Sequence, residues 1–163
     1  MKHSYFKVWK RTLVSFGLAS LIFTACKKSN DNNNIPEGLS ATLGGKSWTA
    51  TTVAGYGDKY SVSVQALSTT DQTAVDVYVN SKMKAGQPDD FSNANLWIGK
   101  STGQKYESGG ISHGTLTFNS WDSTSATKRI TGTFSGTFYN PDDAKDSLVV
   151  TNGKFNSPYT YQP

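Results

Sequence analysis

From Leu39 onward, apolar and polar side chains alternate along the chain with a period of two, the pattern of β-strands that bury one face. Val, Thr, Ser, Tyr and Phe dominate these stretches, and clusters of Gly, Asn, Asp and Pro separate them. No stretch keeps the i, i+3, i+4, i+7 period of an amphipathic helix. The segments predicted as strands are 40–43, 46–53, 60–66, 75–80, 111–121, 127–139, 148–151 and 154–156.

The connections between these segments are short. Gly44-Gly45 is predicted as a two-residue hairpin turn, since glycine tolerates the positive φ angles of such turns. Asn152-Gly153 is predicted as a turn between the last two segments, and residues 96–98 fit either a short strand or one helical turn. The pattern predicts an all-β fold, an antiparallel sandwich or flattened barrel of about 8–10 strands. Closure is expected because free edges rich in Val and Phe favour aggregation.

The first 25 residues follow a different pattern. A basic start that contains Lys2, Lys7, Lys10 and Arg11 precedes an apolar stretch over residues 13–23. This stretch is shorter than the ~20 residues that a membrane-spanning helix needs. Residues 1–25 are therefore predicted to be a secretory signal peptide.

Residues 21–26, Leu-Ile-Phe-Thr-Ala-Cys, resemble the lipobox of bacterial lipoproteins. In that family, a small residue precedes a cysteine whose thiol is alkylated by diacylglycerol, and signal peptidase II then cleaves before the cysteine. The resemblance implies cleavage between Ala25 and Cys26, and a lipidated, palmitate-bearing Cys26. Two or three acyl chains are then expected, because one chain binds a bilayer only marginally. The alternative is ordinary signal cleavage that leaves a free thiol.

Residues 26–38 are polar and rich in Asn, which predicts a lipidated, disordered tether in front of an all-β domain at 39–163. Lys27 occupies the position at which an aspartate would, in some bacteria, signal retention in the inner membrane. The expected location is therefore the cell envelope, lipid-anchored in the outer membrane, with the membrane as a partner through the N-terminal lipid.

Charge and cysteine content narrow the function classes. The chain has 16 basic and 12 acidic residues, and residues 1–25 contain four of the basic ones and none of the acidic ones. The mature part is thus formally neutral, so that nucleic acid is not expected as a partner. Cys26 is the single cysteine, which excludes an internal disulfide. No cofactor motif is present, and no cofactor is expected.

Two stretches, 41–51 (ATLGGKSWTAT) and 130–159, are similar to the start and end of a family of uncharacterised lipoproteins from Bacteroidetes. The shared motifs are Gly-Lys-x-Trp, Ile-x-Gly-x-Phe-x-Gly and Thr-Asn-Gly-x-Phe. They fall here on Gly45, Lys46, Trp48, Ile130, Gly132, Phe134, Gly136, Thr151, Asn152, Gly153 and Phe155. The resemblance implies a compact β domain on the cell envelope and implies no activity.

Polar candidates for chemistry are few. His113 is the only histidine after the signal peptide, and no Gly-x-Ser-x-Gly motif accompanies it, so we expect an exposed strand histidine rather than a hydrolase. Asp142, Asp143 and Asp146 lie close together on a probable loop and are weak candidates for calcium ligands. Asn-Pro-Asp-Asp is also an ordinary turn sequence, and no metal site is expected.

Aromatic residues are the remaining candidates. Trp97 and Trp121 border polar segments, so either ring is expected to stack on a sugar or to pack in the core, whereas Trp48 is expected in the core. The expected function is a non-enzymatic binding or scaffold module whose partner is a glycan or an envelope protein. One alternative is a calycin-like barrel that carries a small apolar ligand in a cavity of several hundred Å³; the other is a hydrolase.

Overall fold

The computed structural model describes residues 35–122 and 128–161. The predicted signal peptide, its cleavage site at Ala25 and Cys26, and the tether up to residue 34 lie outside the described residues. Within those two ranges the fold is all-β, which confirms the predicted fold class, and 67% of the residues lie in strands. The described ranges contain no helix that could cross a bilayer.

Residues 35–122 and 128–161 form eleven strands, one more than the upper end of the predicted range. In chain order they are β1 (Gly38–Leu43), β2 (Lys46–Thr49), β3 (Thr52–Gly57), β4 (Ser61–Ser68), β5 (Thr73–Asn80), β6 (Ala94–Gly99), β7 (Lys105–Glu107), β8 (His113–Asp122), β9 (Arg129–Asn140), β10 (Asp143–Pro158) and β11 (Thr160–Tyr161). The segment around Trp97, for which strand and helix were both open, is strand β6. Strand β7 has three residues and was not predicted.

All eleven strands belong to one sheet, in the order β11-β3-β4-β5-β6-β7-β9-β10-β1-β2, with β8 paired to β9 beside this path. Every pair is antiparallel except β11 with β3, so the sheet is mixed. It is not closed into a barrel, and the expected closure is therefore wrong. Strand β3 nevertheless lies against β1 and β10, so the sheet curls around a single apolar core.

The core lies on the inward side of the alternation. Val62, Val64, Val75, Val77 and Ile98 are almost completely buried on β4, β5 and β6, and their strand neighbours point outward. The buried aromatic side chains of the core include Trp48, Phe118, Phe134, Phe138 and Phe155. Trp48 is 5% exposed, which confirms its predicted core position.

The predicted strand 46–53 is divided into β2 and β3. The amide of Ala50 still donates to the Leu39 carbonyl of β1, at 2.9 Å, but the amide of Thr51 donates to the Leu67 carbonyl of β4, at 2.8 Å. The Thr51 hydroxyl donates to the same carbonyl, at 3.0 Å. The chain thus changes its hydrogen-bonding partner at these two residues, which alternation alone does not reveal.

The predicted turn at Asn152-Gly153 is wrong, because β10 continues through it. Val150 pairs with Gly136 and Gly153 pairs with Phe134, so β10 has one extra residue at this point. Asn152 has a φ of 54°, the left-handed conformation that asparagine tolerates. Asn-Gly therefore forms a β-bulge here, and the strand stays in the sheet.

Strand direction divides the connections between two ends of the sheet. We call one the N-terminal end, because β1 begins there at Gly38; it also contains the β3–β4 turn, the end of β5, the start of β9 and Tyr161. The opposite end contains the Gly44-Gly45 turn, the β4–β5 and β6–β7 turns and the β9–β10 turn. Trp121 is the next-to-last residue of β8 and lies at the N-terminal end of the sheet, whereas Trp97 lies within β6, on the outward face of the sheet.

Candidate functional site

The outward side chains of β3 to β7 form a continuous surface that carries Trp97. Across these strands, Ala54 pairs with Gln65, Gln65 with Asp76, Asp76 with Trp97, and Trp97 with Glu107. Paired residues in a sheet project to the same side, so the five side chains form one row. We call this surface the Trp97 face.

The Trp97 ring is 40% exposed and lies over Gly99, two residues further along β6. A Cβ atom placed on Gly99 would be 2.1 Å from the Trp97 Cη2 atom, much closer than atoms can approach. Glycine at this position therefore leaves the space into which the ring folds. The indole is held against the sheet while a large part of it stays open to solvent.

A groove lies on each side of the ring. One has a volume of about 420 Å³, and among its lining residues are Ala54, Leu67, Ala74 and Trp97. The other has a volume of about 380 Å³ and includes Gly103 and Trp97 in its lining. Trp97 thus forms the wall between two shallow grooves whose floors are partly apolar.

Hydrogen-bonding groups surround the apolar floor. The Asp76 carboxylate accepts a hydrogen bond from the Ser63 hydroxyl at 2.7 Å and one from the Gln65 amide at 3.3 Å. These bonds hold the carboxylate beside the ring and use only part of its four lone-pair sites. The arrangement combines an exposed aromatic surface with fixed polar groups, which is how sites for polar organic ligands are built.

Trp121 has different surroundings. It is half-buried, its indole N–H donates to the Tyr159 hydroxyl at 2.8 Å, and it meets Phe118 edge-to-face with 6.3 Å between ring centroids. It lines a cleft of about 680 Å³ at the N-terminal end, together with Asp58, Lys59, Ser81, Met83, Ala85, Phe118, Lys128 and Tyr161. This cleft shares no lining residue with the grooves beside Trp97. The structure therefore does not bring the two predicted stacking residues into one site.

His113 begins β8 and is exposed, as expected for a strand histidine. Its ring lies 6.5 Å from the Tyr139 ring, centroid to centroid. The neighbouring Ser112 hydroxyl donates to the Glu107 carbonyl at 2.7 Å and accepts from the Tyr139 amide at 2.9 Å. No hydroxyl or carboxylate of the described residues forms a hydrogen bond with the His113 ring, so a nucleophile–base–acid arrangement is not assembled there.

The three aspartates of the β9–β10 region turn to separate partners. Asp142 forms an ion pair with Lys105 at 3.0 Å, and Asp143 accepts from the Lys145 amide at 3.0 Å. Among residues 35–122 and 128–161, no three His, Cys, Asp or Glu side chains form a group that could hold a metal ion. The geometry therefore gives no support to the weak calcium candidates Asp142, Asp143 and Asp146.

Asp146 instead completes a hydrogen-bonded cluster. It accepts from the Asn140 amide at 3.2 Å, the Tyr106 hydroxyl at 3.0 Å and the Gln104 amide at 3.4 Å. These bonds, led by that from Asn140, lower the pKa of Asp146. Burial, and secondly the bond to Asp146, raise the pKa of Tyr106 to about 12. The cluster ties the β6–β7 and β9–β10 turns together at the opposite end.

Sequence reasoning found Trp97 but missed the residues that make it a surface. Gly99, Asp76, Gln65 and Ser63 acquire their meaning only from the register of β4, β5 and β6. Alternation did indicate that Asp76 points outward, between the inward Val75 and Val77. It gave no information on which strand, and hence which side chain, lies beside it.

Comparison of the chain with protein-family models, curated proteins and solved structures gives no match. The similarity to Bacteroidetes lipoproteins therefore stays a prediction, and a function must be inferred from the geometry above.

Proposed function

We propose that this protein is a lipid-anchored, non-enzymatic binding module of the cell envelope that holds a glycan on its Trp97 face. The anchor is a diacylglyceryl group on Cys26, in the outer membrane. The proposal joins a sequence signal for the location to a surface for the ligand. Each part has its own test.

The observation that carries the ligand part is the exposed Trp97 ring between two grooves. Pyranose rings have an apolar face of C–H groups, which an open indole can cover, and hydroxyl groups around the edge. Beside the ring, the Asp76 carboxylate and the Gln65 amide supply an acceptor and a donor for those hydroxyl groups. The Trp97 face thus offers both interactions that a sugar needs.

The other expected ligands fit this surface less well. A small apolar ligand would need an enclosed chamber, but the sheet is not closed into a barrel and the grooves beside Trp97 are open to solvent. A hydrolase would need an assembled base and nucleophile, and His113 and Ser112 make contacts of another kind. We therefore favour binding without catalysis.

Binding of the mature protein to an array of polysaccharides, followed by titration with the oligosaccharide of the strongest signal, tests the ligand. Trp97→Ala should lower the affinity at least about tenfold, which is ~1.4 kcal/mol, because aromatic anchors dominate such contacts. Trp121→Phe is the matched control and should bind like the wild type. A blank array for folded protein, or an equal loss in both variants, would overturn the proposed glycan site.

Membrane fractionation tests the anchor. Cys26→Ser should release the protein from the membrane fraction and abolish labelling by a fatty-acid probe, since the thiol is the attachment atom. Cys26 is the only cysteine, so no second thiol can replace it. Continued labelling of that variant would contradict the anchor.

A further inference from the structure

We propose that the N-terminal end of the sheet rests on anionic lipid headgroups, with the cleft lined by Lys59, Trp121, Lys128 and Tyr161 facing the bilayer. We call this surface the lysine–aromatic cleft. The inference rests on the proposed lipid anchor and goes beyond it, because it gives the domain one orientation on the membrane. It also assigns a role to Trp121 that differs from that of Trp97.

The first argument is where the chain joins the domain. The Asn156 side-chain amide donates to the Ile35 carbonyl, and Glu37 pairs with Arg129 at 2.7 Å. These contacts fix residues 35–37 beside the start of β9, at the N-terminal end. Residues 27–34 separate Cys26 from Ile35, and at ~3.3–3.6 Å per residue they span at most about 30 Å. A lipid on Cys26 therefore holds the attachment point, which lies at this end of the domain, within about 30 Å of the bilayer.

The second argument is charge. Lys59, Lys82, Lys84, Lys128 and Arg129 lie at or beside this end, together with the acidic residues Glu37, Asp58 and Asp122, and Asp89 and Asp90 follow in the same β5–β6 connection as Lys82 and Lys84. At the opposite end, the four basic residues Lys46, Lys100, Lys105 and Lys145 are matched by the four aspartates Asp71, Asp142, Asp143 and Asp146. The cleft itself has Lys59 and Lys128 in its lining, against one carboxylate, that of Asp58. Basic residues near the attachment point of a lipid anchor attract anionic headgroups.

Two carboxylates at this end are already engaged. Glu37 forms an ion pair with Arg129, and the Asp58 carboxylate accepts hydrogen bonds from the backbone amides of Tyr60 and Ser61, at 2.7 Å each. Those backbone bonds, first that of Tyr60, lower the pKa of Asp58. Neither Lys59 nor Lys128 lies within salt-bridge distance of a carboxylate of the described residues, although the charge of Lys59 contributes to the lowered pKa of Asp58.

The third argument is the aromatic residues beside these lysines. The Lys59 ammonium lies 4.6 Å from the centre of the Tyr60 ring, and that of Lys128 lies 3.6 Å from the Tyr161 ring. Tyr60 is 60% exposed and Tyr161 37% exposed. Tyrosine and tryptophan prefer the headgroup level of a bilayer, where one part of the ring is apolar and the other wet. The cleft therefore combines the two residue classes that contact a lipid surface.

The orientation leaves the Trp97 face accessible. Trp97 lies on the outward face of the sheet. The 380 Å³ groove beside it is lined mainly by the β6–β7 turn, which lies at the opposite end. A bilayer under the N-terminal end therefore does not cover it.

Tryptophan quenching by brominated lipid tests this orientation on the lipidated mature protein. The mature chain has three tryptophans, of which Trp48 is buried. In vesicles of phosphatidylcholine and brominated phosphatidylglycerol, Trp97→Phe should keep the quenching, whereas Trp121→Phe should lose most of it. Circular dichroism of both variants checks that they are folded.

Charge reversal provides a second readout. Lys59→Glu with Lys128→Glu should reduce the quenching by at least about half, because the attraction to anionic headgroups is removed. Lys46→Glu with Lys145→Glu makes the same change in net charge at the opposite end and should leave the quenching unchanged. Quenching that persists in Trp121→Phe, or that responds equally to both double variants, would overturn the proposed orientation.

The result also separates this proposal from the one on which it rests. If the protein does not float with the vesicles and its mass shows no lipid, the anchor fails and the orientation fails with it. If the protein floats but the quenching does not depend on Trp121, only the orientation is overturned. Sugar binding through Trp97 is measured independently in either case.

Discussion

Trp97 and Trp121 are the same residue type in two different settings. Trp97 rests on a glycine, projects from the side of the sheet and forms the wall between two grooves. Trp121 is held by a hydrogen bond to Tyr159 and by the edge of Phe118, and lines a cleft with lysines. One ring is open and lightly held, while the other is partly structural. The neighbours of an aromatic side chain, rather than its type, decide what it can bind.

The largest expected difference is in stability. Trp121→Ala removes packing against Phe118 and the bond to Tyr159, and should lower the free energy of unfolding by about 2–3 kcal/mol. Trp97→Ala removes a ring that is 40% exposed and should cost less than about 1 kcal/mol. Urea denaturation of both variants measures this difference.

Trp121→Phe is the control for the first variant. It keeps an aromatic ring beside Phe118 but removes the indole N–H and the part of the indole that a phenyl ring lacks, so about 1–2 kcal/mol should be lost. Equal destabilisation by the two alanine variants would show that the Trp97 ring is as structural as Trp121, which contradicts its assignment as a ligand surface.

The next effect concerns the position of the Trp97 ring. Gly99→Ala places a methyl group where the indole lies, and because the ring is at the end of a movable side chain, it should shift rather than strain the sheet. We expect sugar affinity to fall about tenfold, or ~1.4 kcal/mol, with the free energy of unfolding changed by less than about 1 kcal/mol. Titration and urea denaturation measure the two quantities.

A double variant sharpens this prediction. If Gly99 acts through the ring, Trp97→Ala with Gly99→Ala should bind no more weakly than Trp97→Ala alone. Gly132→Ala is the matched contrast, since its Cβ would lie 2.3 Å from the buried Phe155 ring and 2.6 Å from the Thr117 carbonyl. That overpacking should cost about 1–3 kcal/mol of stability. Additive losses in the double variant would argue against a positioning role for Gly99.

The comparison also shows what a sequence can and cannot predict here. Alternation found most strands because each strand buries one face, as Phe134 and Phe138 show in β9. It could not separate β2 from β3, since the change of partner at Thr51 depends on a strand sixteen residues away. It predicted a turn at Asn152-Gly153, where the structure has a bulge, because the same dipeptide is favourable in both.

The candidate site was harder to predict for the same reason. Composition and position identified Trp97 and Trp121 equally, because both border polar segments. Their difference comes from Gly99 beneath one ring and Tyr159 beside the other, and the second of these contacts joins residues 38 positions apart. Local patterns carry no signal for such pairs.

A smaller effect is expected from the support of Asp76. Ser63→Ala removes the 2.7 Å hydrogen bond that orients this carboxylate beside Trp97. If Asp76 accepts from a sugar hydroxyl, affinity should fall about two- to threefold, or ~0.4–0.7 kcal/mol. Ser147→Ala, which alters an exposed serine of β10, is the control and should bind normally. An unchanged affinity in Ser63→Ala would remove Asp76 from the proposed site.

The smallest expected effect is a pH dependence that belongs to neither tryptophan. Hydrogen bonds, first that from Asn140, lower the pKa of Asp146 below 3.8, so its contribution to stability is complete above that value and is lost as the pH falls through the lowered pKa. Asp146→Asn should therefore flatten the acid part of the stability curve, as measured by urea midpoints below pH 4. Burial, and then the bond to Asp146, raise the pKa of Tyr106 to about 12, so the contribution of this tyrosine is present below pH 10 and is lost as the pH approaches 12. Parallel stability curves for wild type and variant at acidic pH would show that the Asp146 cluster does not stabilise the opposite end. A flattened curve for the variant, together with an unchanged sugar affinity, would show that this end supports the fold and takes no part in ligand binding by the Trp97 face.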